Sequence, residues 1–400
     1  MLSVADARAK ILSAVKPTGH ETIALATAHG RVLAAPVMAR LTQPPADISA
    51  MDGYAVRAAD AHEKAVLKLI GSAPAGHPFA GYLSAGEAVR LFTGSVMPQG
   101  ADSVVIQENI AASGVDIHIN QAAEAGKNIR PAGQDFKTGD ILVPTGTMLN
   151  ARGIGLAAAG NHPWVTVHRR PKIAILSTGD EISLPGEAIS DGGIVSSNAH
   201  MLAAFVVACG GEPIALPIAR DDLTAIADGA ISARGADMLI TTGGASVGDH
   251  DLVQPALQAR GLHLDFWKIA MRPGKPLMFG TIDGMPVLGL PGNPVSAYVC
   301  AMLFMAPAIA ALSGLPDEPP MLETARLSAA MPPNDTREDY VRARLHRDGY
   351  EWVATPFSKQ DSGMLLTLAS AQALIKRPPY DPGKMIGDVV EIIRLGTMGR

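Results

Sequence analysis

The chain has 400 residues, of which 48% are hydrophobic and 18% are charged, and its formal net charge is −5. This length exceeds what a single hydrophobic core usually serves, so we expect roughly two to four domains. The hydrophobic fraction excludes a disordered chain. The lack of any concentrated basic stretch argues against a general nucleic-acid-binding protein.

The cysteine content and the apolar runs of the sequence indicate the cellular compartment of the protein. Only Cys209 and Cys300 occur, both in apolar runs, so we expect neither a disulfide framework nor a Cys-based metal site, and a cytoplasmic location fits. The first residues lack the continuous apolar core of a signal peptide. The longest apolar stretch, residues 297–312, is shorter than the ~20 residues of a membrane span and contains Pro307. It therefore predicts a buried helix and no membrane association.

Three helical patterns are found outside the central part of the chain. Ser3 followed by Asp6 resembles a capping box and predicts a first helix. Residues 21–35, ETIALATAHGRVLAA, carry a second helical pattern. A third helix is predicted in NARGIGLAAAG, where Asn150 suits an N-cap and Gly160 a C-terminal stop.

Between the second and third helical patterns the sequence changes character. Short β-like runs, AVLKLI, AVRLF, DSVVIQ and VDIHI, are divided by Gly and Pro turns. We therefore expect a small β domain over residues 41–140, inserted into a discontinuous helical domain formed by residues 1–40 and 141–168.

Residues 169–316 alternate regularly between strand and helix patterns. The predicted strands are IAIL, EPIALPIA, DMLITT, LDFWKIAM, LMFG and PVLGL, and the helices are NAHMLAAFVVA, DDLTAIADGAISARG, DLVQPALQA and the long closing helix. This alternation predicts a doubly wound, mainly parallel α/β sheet, which binds ligands beyond the carboxyl ends of its strands. A β-rich segment with turns at RDGY and YDPGK follows over residues 317–400.

Three loops at predicted strand ends combine glycine with acid: STGDE (177–181), TTGGASVGDHD (241–251) and GLPGNPVSA (289–297). Glycine lets backbone N–H groups approach phosphate oxygens closely. The acids of these loops, Asp180, Glu181, Asp249 and Asp251, would repel a bare phosphate, which suggests an intervening Mg²⁺ ion. Alternatively, each loop is a tight turn with solvated acids, since Gly and Asp dominate turns.

A basic segment, WKIAMRPGKPLMFG, carries Lys268, Arg272 and Lys275 close together, stiffened by two prolines. Three cations on a restrained segment suit a multiply charged oxyanion. The alternative is a basic edge strand that prevents aggregation.

At these loops the sequence resembles the molybdopterin molybdenumtransferase family of bacterial MoeA type, which is related to the gephyrin E domain. The resemblance is carried by SAMDGYAVR, FTGSVMPQGADSVVIQE, IRPAGQDFKTGD, ILSTGDEI, ARDD, TTGGASVGDHD, MRPGKPLMFG and GLPGNPVSA, in family order from Ser49 to Ala297. It implies a homodimer whose subunits contain the helical, inserted β and α/β/α domains and a C-terminal β-barrel. It also implies insertion of molybdate into adenylated molybdopterin, with Mg²⁺-dependent loss of AMP. A molybdopterin adenylyltransferase is the implied pathway partner.

The resemblance and the loop chemistry together give the candidate site residues. Those with a catalytic role are Asp52, Thr93 and Asp135, expected from the partner subunit, and Glu181, Asp221, Asp251, Lys268, Arg272 and Lys275. Those that bind the pterin nucleotide are Ser177, Thr178, Gly179, Asp180, Gly243, Gly244, Ser246, Gly248, Pro291, Gly292, Asn293, Pro294, Arg342 and Ser362. The candidate Mg²⁺ ligands are Asp180, Glu181, Asp221, Asp249 and Asp251.

Two rival functions and two departures from the family pattern stay open. The sister adenylyltransferase shares the α/β domain and its TxGGxS-type loop, and a scaffold of gephyrin E-domain type is a rival of a different class. Arg272 stands where many members have Lys, so a planar guanidinium with forked donors replaces an ammonium that acts as a point charge. His250 replaces an acid in a more usual acidic tripeptide.

Overall fold

The computed structural model describes residues 1–244 and 252–397. Its α-helices are α1 Val4–Ser13, α2 Ala151–Ala159, α3 Asn198–Ala208, α4 Leu223–Ile231, α5 Val253–Gln258, α6 Pro294–Cys300, α7 Ala306–Leu312 and α8 Leu365–Ala369. A π-helical stretch, Ala301–Met305, joins α6 and α7 into one continuous helix. Short 3₁₀ turns cover Leu25–Thr27, Ala58–Asp60, Gln107–Asn109 and Leu395–Thr397.

The strands fall into three stretches of the chain. The first contains β1 His20–Ala24, β2 Val37–Met38, β3 Ile48–Ser49, β4 Gly53–Val56, β5 Val66–Ala73, β6 Glu87–Leu91, β7 Ser103–Ile106, β8 Ile110–Ser113, β9 Asp116–Ile119, β10 Ile129–Arg130, β11 Ile141–Val143 and β12 Trp164–His168. The second contains β13 Lys172–Ser177, β14 Ile182–Ser183, β15 Ile194–Val195, β16 Glu212–Ala215, β17 Met238–Thr242, β18 His263–Trp267, β19 Met271–Arg272, β20 Met278–Ile282 and β21 Met285–Leu290. The third contains β22 Glu323–Leu327, β23 Glu338–Asp348, β24 Glu351–Pro356, β25 Ala373–Arg377 and β26 Val389–Arg394.

The predicted first and third helices are confirmed, with their caps. The backbone N–H of Asp6 donates to Ser3 Oγ at the start of α1. Asn150 Oδ1 accepts from the N–H groups of Arg152 and Gly153 at the start of α2. Each cap satisfies N–H groups that have no partner within the first turn of a helix.

The predicted second helix over residues 21–35 is wrong. Its first residues form β1, which pairs antiparallel with β12, so that Ile23 lies opposite Val165. A 3₁₀ turn follows instead of an α-helix. The partner strand lies about 140 residues further along the chain, and this long-range pairing outweighs the weak local helix propensity.

The β-like runs predicted between residues 41 and 140 are confirmed as strands. They form a six-stranded sheet in the order β7-β4-β6-β5-β9-β8. Pairing is antiparallel except between β5 and β6, which run parallel. Two short antiparallel pairs, β3 with β10 and β2 with β11, join the segments that precede and follow the strands of this sheet.

The mainly parallel sheet predicted for the α/β region is confirmed. Its order is β16-β13-β17-β21-β20-β18, in which the first four strands are parallel and the last two antiparallel. Alternate residues of β13 face opposite layers: Ile173 and Ile175 pack in a core with α3 and the closing helix, while Ala174 and Leu176 pack with α4 and α5. Helices therefore cover both faces, and loops gather at the carboxyl edge.

The closing helix runs from Pro294 to Leu312 and lies in the core, as predicted. Among the described residues it alone is long and apolar enough to cross a membrane, but 72% of it is buried within the protein.

The last stretch of the chain forms a closed five-stranded barrel. The order is β23-β24-β22-β26-β25, and pairing between β25 and β23 closes it. β19, which belongs to the α/β region in sequence, adds to this barrel by parallel pairing of Met271 with Glu338. The basic segment around β19 is therefore joined directly to the barrel.

Candidate active site at the carboxyl ends of the parallel strands

A cavity of about 330 Å³ opens where β13, β17 and β21 end. Its lining residues are Ser177, Glu181, Ile182, Ile194, Val195, Ser196, Ser197, Asn198, Thr242, Gly243, Gly244, Gly292, Asn293 and Pro294. All three Gly-rich loops singled out in the sequence contribute to it. Of the candidate nucleotide-binding residues, the lining contains Ser177, Gly243, Gly244, Gly292, Asn293 and Pro294, and Gly179 and Pro291 belong to the same loops.

Glycine is required here because the loops approach one another closely. Gly243 has φ +98°, and a Cβ at this position would overlap the carbonyl oxygen of Thr178. Gly244 has φ +57°, and its Cβ would lie 2.5 Å from Val253 Cγ2. A Cβ on Gly292 would lie 3.4 Å from Gly243 Cα. Larger residues at Gly243 or Gly244 would therefore force the loops apart, whereas a Cβ on Gly292 would make an ordinary contact.

The cavity wall contains polar atoms that lack partners. Among the described residues, buried side-chain atoms with no hydrogen bond include Ser177 Oγ, Thr178 Oγ1, Thr241 Oγ1 and Asn198 Oδ1. Buried polar groups in native proteins are almost always paired with protein, water or ligand. Of these residues, Ser177 and Asn198 line the cavity, so Ser177 Oγ and Asn198 Oδ1 are the unpaired atoms that a polar ligand there can contact.

Asn198 is a site residue that the sequence reasoning missed. Its Nδ2 donates to Thr242 Oγ1 at 2.9 Å and to the carbonyl oxygen of Gly292 at 2.7 Å. Because Gly292 O can only accept, the amide orientation is fixed and Oδ1 is left unpaired. The sequence SSN, residues 196–198, could have indicated it. These residues begin a predicted helix, and the N-termini of such helices lie at the same edge of the sheet as the carboxyl ends of the strands.

The acidic residues lie on two adjoining loops. Glu181 lines the cavity. Asp180 Oδ1 accepts from the backbone N–H of Asp221 at 3.3 Å, and a bridge between Thr178 and Ala219 holds the two loops together. Four predicted site residues, Ser246, Gly248, Asp249 and Asp251, lie outside the described residues.

No cluster of three candidate metal ligands occurs within residues 1–244 and 252–397. Mg²⁺, however, keeps several waters and is commonly held by one or two carboxylates together with substrate phosphates. Glu181 supplies such a carboxylate in the same lining as the unpaired hydroxyl of Ser177, and Asp180 precedes Glu181 in the loop. The all-oxygen donor set therefore fits a magnesium ion.

The three cations of the basic segment do not line the cavity. Lys268 Nζ lies 4.1 Å from the ring centroid of Trp267, and Lys275 is exposed. Arg272 instead contacts the barrel, where hydrogen bonding to Asp339 raises the pKa of the guanidinium. The predicted glycine loop and acidic loop therefore share one cavity, as Gly244 and Glu181 show, but Lys275 of the basic segment does not line it.

The barrel reaches the cavity through one loop. Asn293 Nδ2 donates to Ser362 Oγ at 3.0 Å, and the N–H of Val295 donates to the Ser362 carbonyl oxygen at 3.1 Å. Arg342 is buried, with 1% exposure, and its Nε donates to Gln360 Oε1 in the same loop. This burial lowers the pKa of Arg342. Ser362 thus lies at the cavity edge, while Arg342 braces its loop.

The candidate residues in the β region of the chain, Asp52, Thr93 and Asp135, lie outside the cavity lining. Asp52 Oδ1 accepts from both the N–H and the hydroxyl of Thr93, at 2.7 and 2.8 Å. These bonds, led by the backbone N–H, lower the pKa of Asp52. Asp135 follows a neighbouring loop, where its N–H donates to the Gln43 carbonyl oxygen at 3.0 Å. None of these residues lines the cavity of its own chain.

Three family models together match most of the chain. The MoeA N-terminal region (domain I and II) matches residues 2–160, the probable molybdopterin binding domain matches residues 174–311, and the MoeA C-terminal region (domain IV) matches residues 324–395. The middle match contains the cavity.

Named relatives and a solved structure agree with these matches. The molybdopterin molybdenumtransferase of Nostoc sp. is 38% identical over 369 residues, covering 90% of this chain and 85% of the relative. That of Haemophilus influenzae is 35% identical and covers 78% of each chain. The crystal structure of a molybdopterin biosynthesis MoeA protein from Pyrococcus horikoshii is 30% identical, has a TM-score of 0.87, and covers 98% of this chain and 99% of its own. With its domains, fold and cavity in agreement, the chain belongs to the molybdopterin molybdenumtransferase family of transferases in molybdenum cofactor biosynthesis.

Proposed function

We propose that this protein inserts molybdate into adenylated molybdopterin in the cytoplasm, with Mg²⁺-dependent release of AMP. The observation that carries the proposal is the cavity at the ends of β13, β17 and β21. It combines glycine-exposed backbone, the unpaired Ser177 hydroxyl and Asn198 carbonyl oxygen, and the carboxylate of Glu181 at one sheet edge. The substrate would come from a molybdopterin adenylyltransferase, which makes that enzyme the expected pathway partner.

The phosphates of the pterin nucleotide would lie against the glycine loops. Gly243, Gly244 and Gly292 leave their backbone accessible, and two helices begin at the cavity, α3 at Asn198 and the closing helix at Pro294. The N-terminus of a helix presents free N–H groups and a positive partial charge, both of which favour a phosphate. The unpaired hydroxyls of Ser177 and Thr178 would donate to the same ligand.

The residues proposed to hold Mg²⁺ are Asp180, Glu181 and Asp221, together with Asp249 and Asp251. The bound ion would neutralise negative charge on the phosphoanhydride and so favour loss of AMP. The loop contact between Asp180 and the N–H of Asp221 keeps two of these carboxylates at adjoining positions. Glu181 brings a third carboxylate to the cavity itself.

Lys268 and Lys275 are proposed to gather molybdate, a dianion that would otherwise be repelled by the carboxylates and phosphates. A lysine ammonium is a mobile point charge that suits an oxyanion without demanding one geometry. Ser362, which contacts Asn293 at the cavity edge, would add a hydroxyl donor from the barrel.

A second copy of the chain is proposed to complete the site. Asp52 and Thr93 contact each other, and both of them, like Asp135, are exposed and absent from the lining of their own cavity. A two-fold symmetric dimer presents the same surface from both subunits, so these residues can face the partner's cavity.

The function is tested by supplying purified pterin-adenylate with molybdate and Mg²⁺ and measuring AMP by chromatography. We expect AMP release that requires both additions. Steady transfer of AMP from ATP to free molybdopterin would instead identify an adenylyltransferase. Stable peptide binding without molybdate-dependent AMP release would indicate a scaffold.

The shared site is tested by mixing two inactive variants, Asp52→Ala and Glu181→Ala, after subunit exchange. A heterodimer would then contain one intact site, so about a quarter of wild-type activity should return for randomly exchanged two-fold dimers. If Asp52 serves its own chain, both sites of the heterodimer stay defective and no activity returns.

A further inference from the structure

Arg272 joins the basic segment to the barrel by a two-point ion pair. Its Nε donates to Asp339 Oδ1 at 2.7 Å, and its Nη2 donates to Asp339 Oδ2. Nη1 contacts Asp335 Oδ2 at 3.3 Å. The Asp339 carboxylate is nearly buried, with 8% exposure of its side chain. Buried carboxylates need a partner, and a guanidinium fork matches both oxygens.

The segment that carries Lys268 and Lys275 is closed on itself around this anchor. The N–H of Lys268 donates to the Leu277 carbonyl oxygen, and the N–H of Ile269 donates to that of Lys275, each at 3.0 Å. Gly274, at φ +113°, lies against Cys300 of the closing helix, where a Cβ would come within 2.5 Å of Sγ. The segment is therefore compact, and its anchor on the barrel fixes where both lysines stand.

The surroundings of Arg272 are unfavourable for direct contact with molybdate. Asp339 already neutralises the guanidinium, and a dianion brought to it would meet this carboxylate. Asp335 is itself neutralised by Arg337, whose Nη2 lies 2.6 Å from Asp335 Oδ2. Repulsion between like charges at such separations is substantial near a protein surface. By contrast, no ion pair is formed by Lys268 or Lys275 with any residue that the structure describes.

We propose that Arg272 is a positioning residue, which acts through Asp339 to hold Lys268 and Lys275 in place and does not itself contact molybdate. The part of the proposal that concerns molybdate rests on the proposed function. The anchoring of the segment does not, and it can be measured separately.

The kinetic test compares Arg272→Ala, Asp339→Asn and the double variant. Asn replaces one acceptor oxygen with a donor and so breaks the two-point pair while leaving Arg272 charged. If Arg272 acts through Asp339, each single variant should raise KM for molybdate about tenfold, the scale of one charge-assisted pair, and the double variant should be no worse than either. An Asp339→Asn enzyme with wild-type KM, beside an impaired Arg272→Ala enzyme, would overturn the proposal.

Arg326→Ala is the matched control. Arg326 makes the same kind of two-point pair with Glu351, at 2.6 and 3.1 Å, but it lies on β22, whereas β19 of the basic segment pairs with β23. Its loss should leave KM for molybdate unchanged. Equal effects of Arg272→Ala, Asp339→Asn and Arg326→Ala on KM would show a general loss of barrel stability and contradict a specific anchor.

Hydrogen exchange supplies a readout that does not depend on turnover. In both Arg272→Ala and Asp339→Asn, the amides of Lys268 and Ile269 should exchange faster than in the wild type, while amides of the α/β sheet keep their protection. Unchanged exchange in these variants would overturn the anchor even in an active enzyme. Faster exchange in these variants, combined with a wild-type protein that releases no AMP, would support the anchor and reject the proposed function.

Discussion

Asn198 Nδ2 donates to the Gly292 carbonyl oxygen at 2.7 Å, which links the start of α3 to the loop that begins the closing helix. The same nitrogen also contacts Thr242 at the end of β17. One side chain therefore holds three edges of the cavity together, and its remaining oxygen has no partner among the described residues.

Asn198→Ala should raise KM for the pterin-adenylate by about tenfold, because two hydrogen bonds of roughly 1 kcal/mol each are lost and a ligand acceptor disappears. Steady-state AMP release against substrate concentration measures this effect. Asn109→Ala, which removes a surface hydrogen bond to Gln121, is the control and should change nothing. An unchanged KM in Asn198→Ala would show that the amide only packs the wall.

Glu181→Gln should reduce Mg²⁺-dependent AMP release by about 10- to 100-fold, as expected when a carboxylate near a bound metal is neutralised. Titration of activity with Mg²⁺ should show weaker apparent binding, while thermal unfolding stays unchanged because Glu181 is exposed. Glu187→Gln in the same loop is the control, since Glu187 only accepts from the N–H of Leu184. Full activity in Glu181→Gln would remove it from the site.

Gly243→Ala should lower the free energy of unfolding by about 2–4 kcal/mol, because a positive φ and a clash with the Thr178 carbonyl oxygen act together. Gly235→Ala separates the two causes: it has φ +88° but open space around it, so only the backbone strain should be seen. Urea unfolding measures both. Equal losses in the two variants would mean that the loops can spread without cost.

Thr93→Val should raise the pKa of Asp52 toward its ordinary value of 3.8, because one of the two donors that stabilise the carboxylate is lost. A lowered pKa in the folded state contributes stability that is present above the unfolded pKa and disappears as pH falls through the folded one. The two proteins should therefore differ most at neutral pH and converge in strong acid. Carbon NMR titration of labelled aspartate measures the shift, and Thr93→Ser should retain the wild-type value. An unshifted Asp52 in Thr93→Val would assign the effect to the backbone N–H alone.

Local sequence was sufficient where the structure depends on neighbours in the chain. The cap at Ser3, the bounds of α3 and the alternation of strands and helices follow from side-chain periodicity and from hydrogen bonds within a few residues. The Gly-rich loops were found for the same reason, since a parallel sheet must bring the carboxyl ends of its strands to one edge. The resemblance to the family rested on these loops together with motifs of the β region and the basic segment.

Tertiary structure alone decided the features that join distant segments. Residues 21–35 read as a helix, yet Ile23 pairs with Val165, and no local pattern reveals such a partner. Asn198 entered the cavity because α3 packs beside β13, and Arg272 left the predicted oxyanion cluster because Asp339 of the barrel lies within reach. In each case the deciding energy came from a contact across many residues of chain, which composition and spacing do not encode.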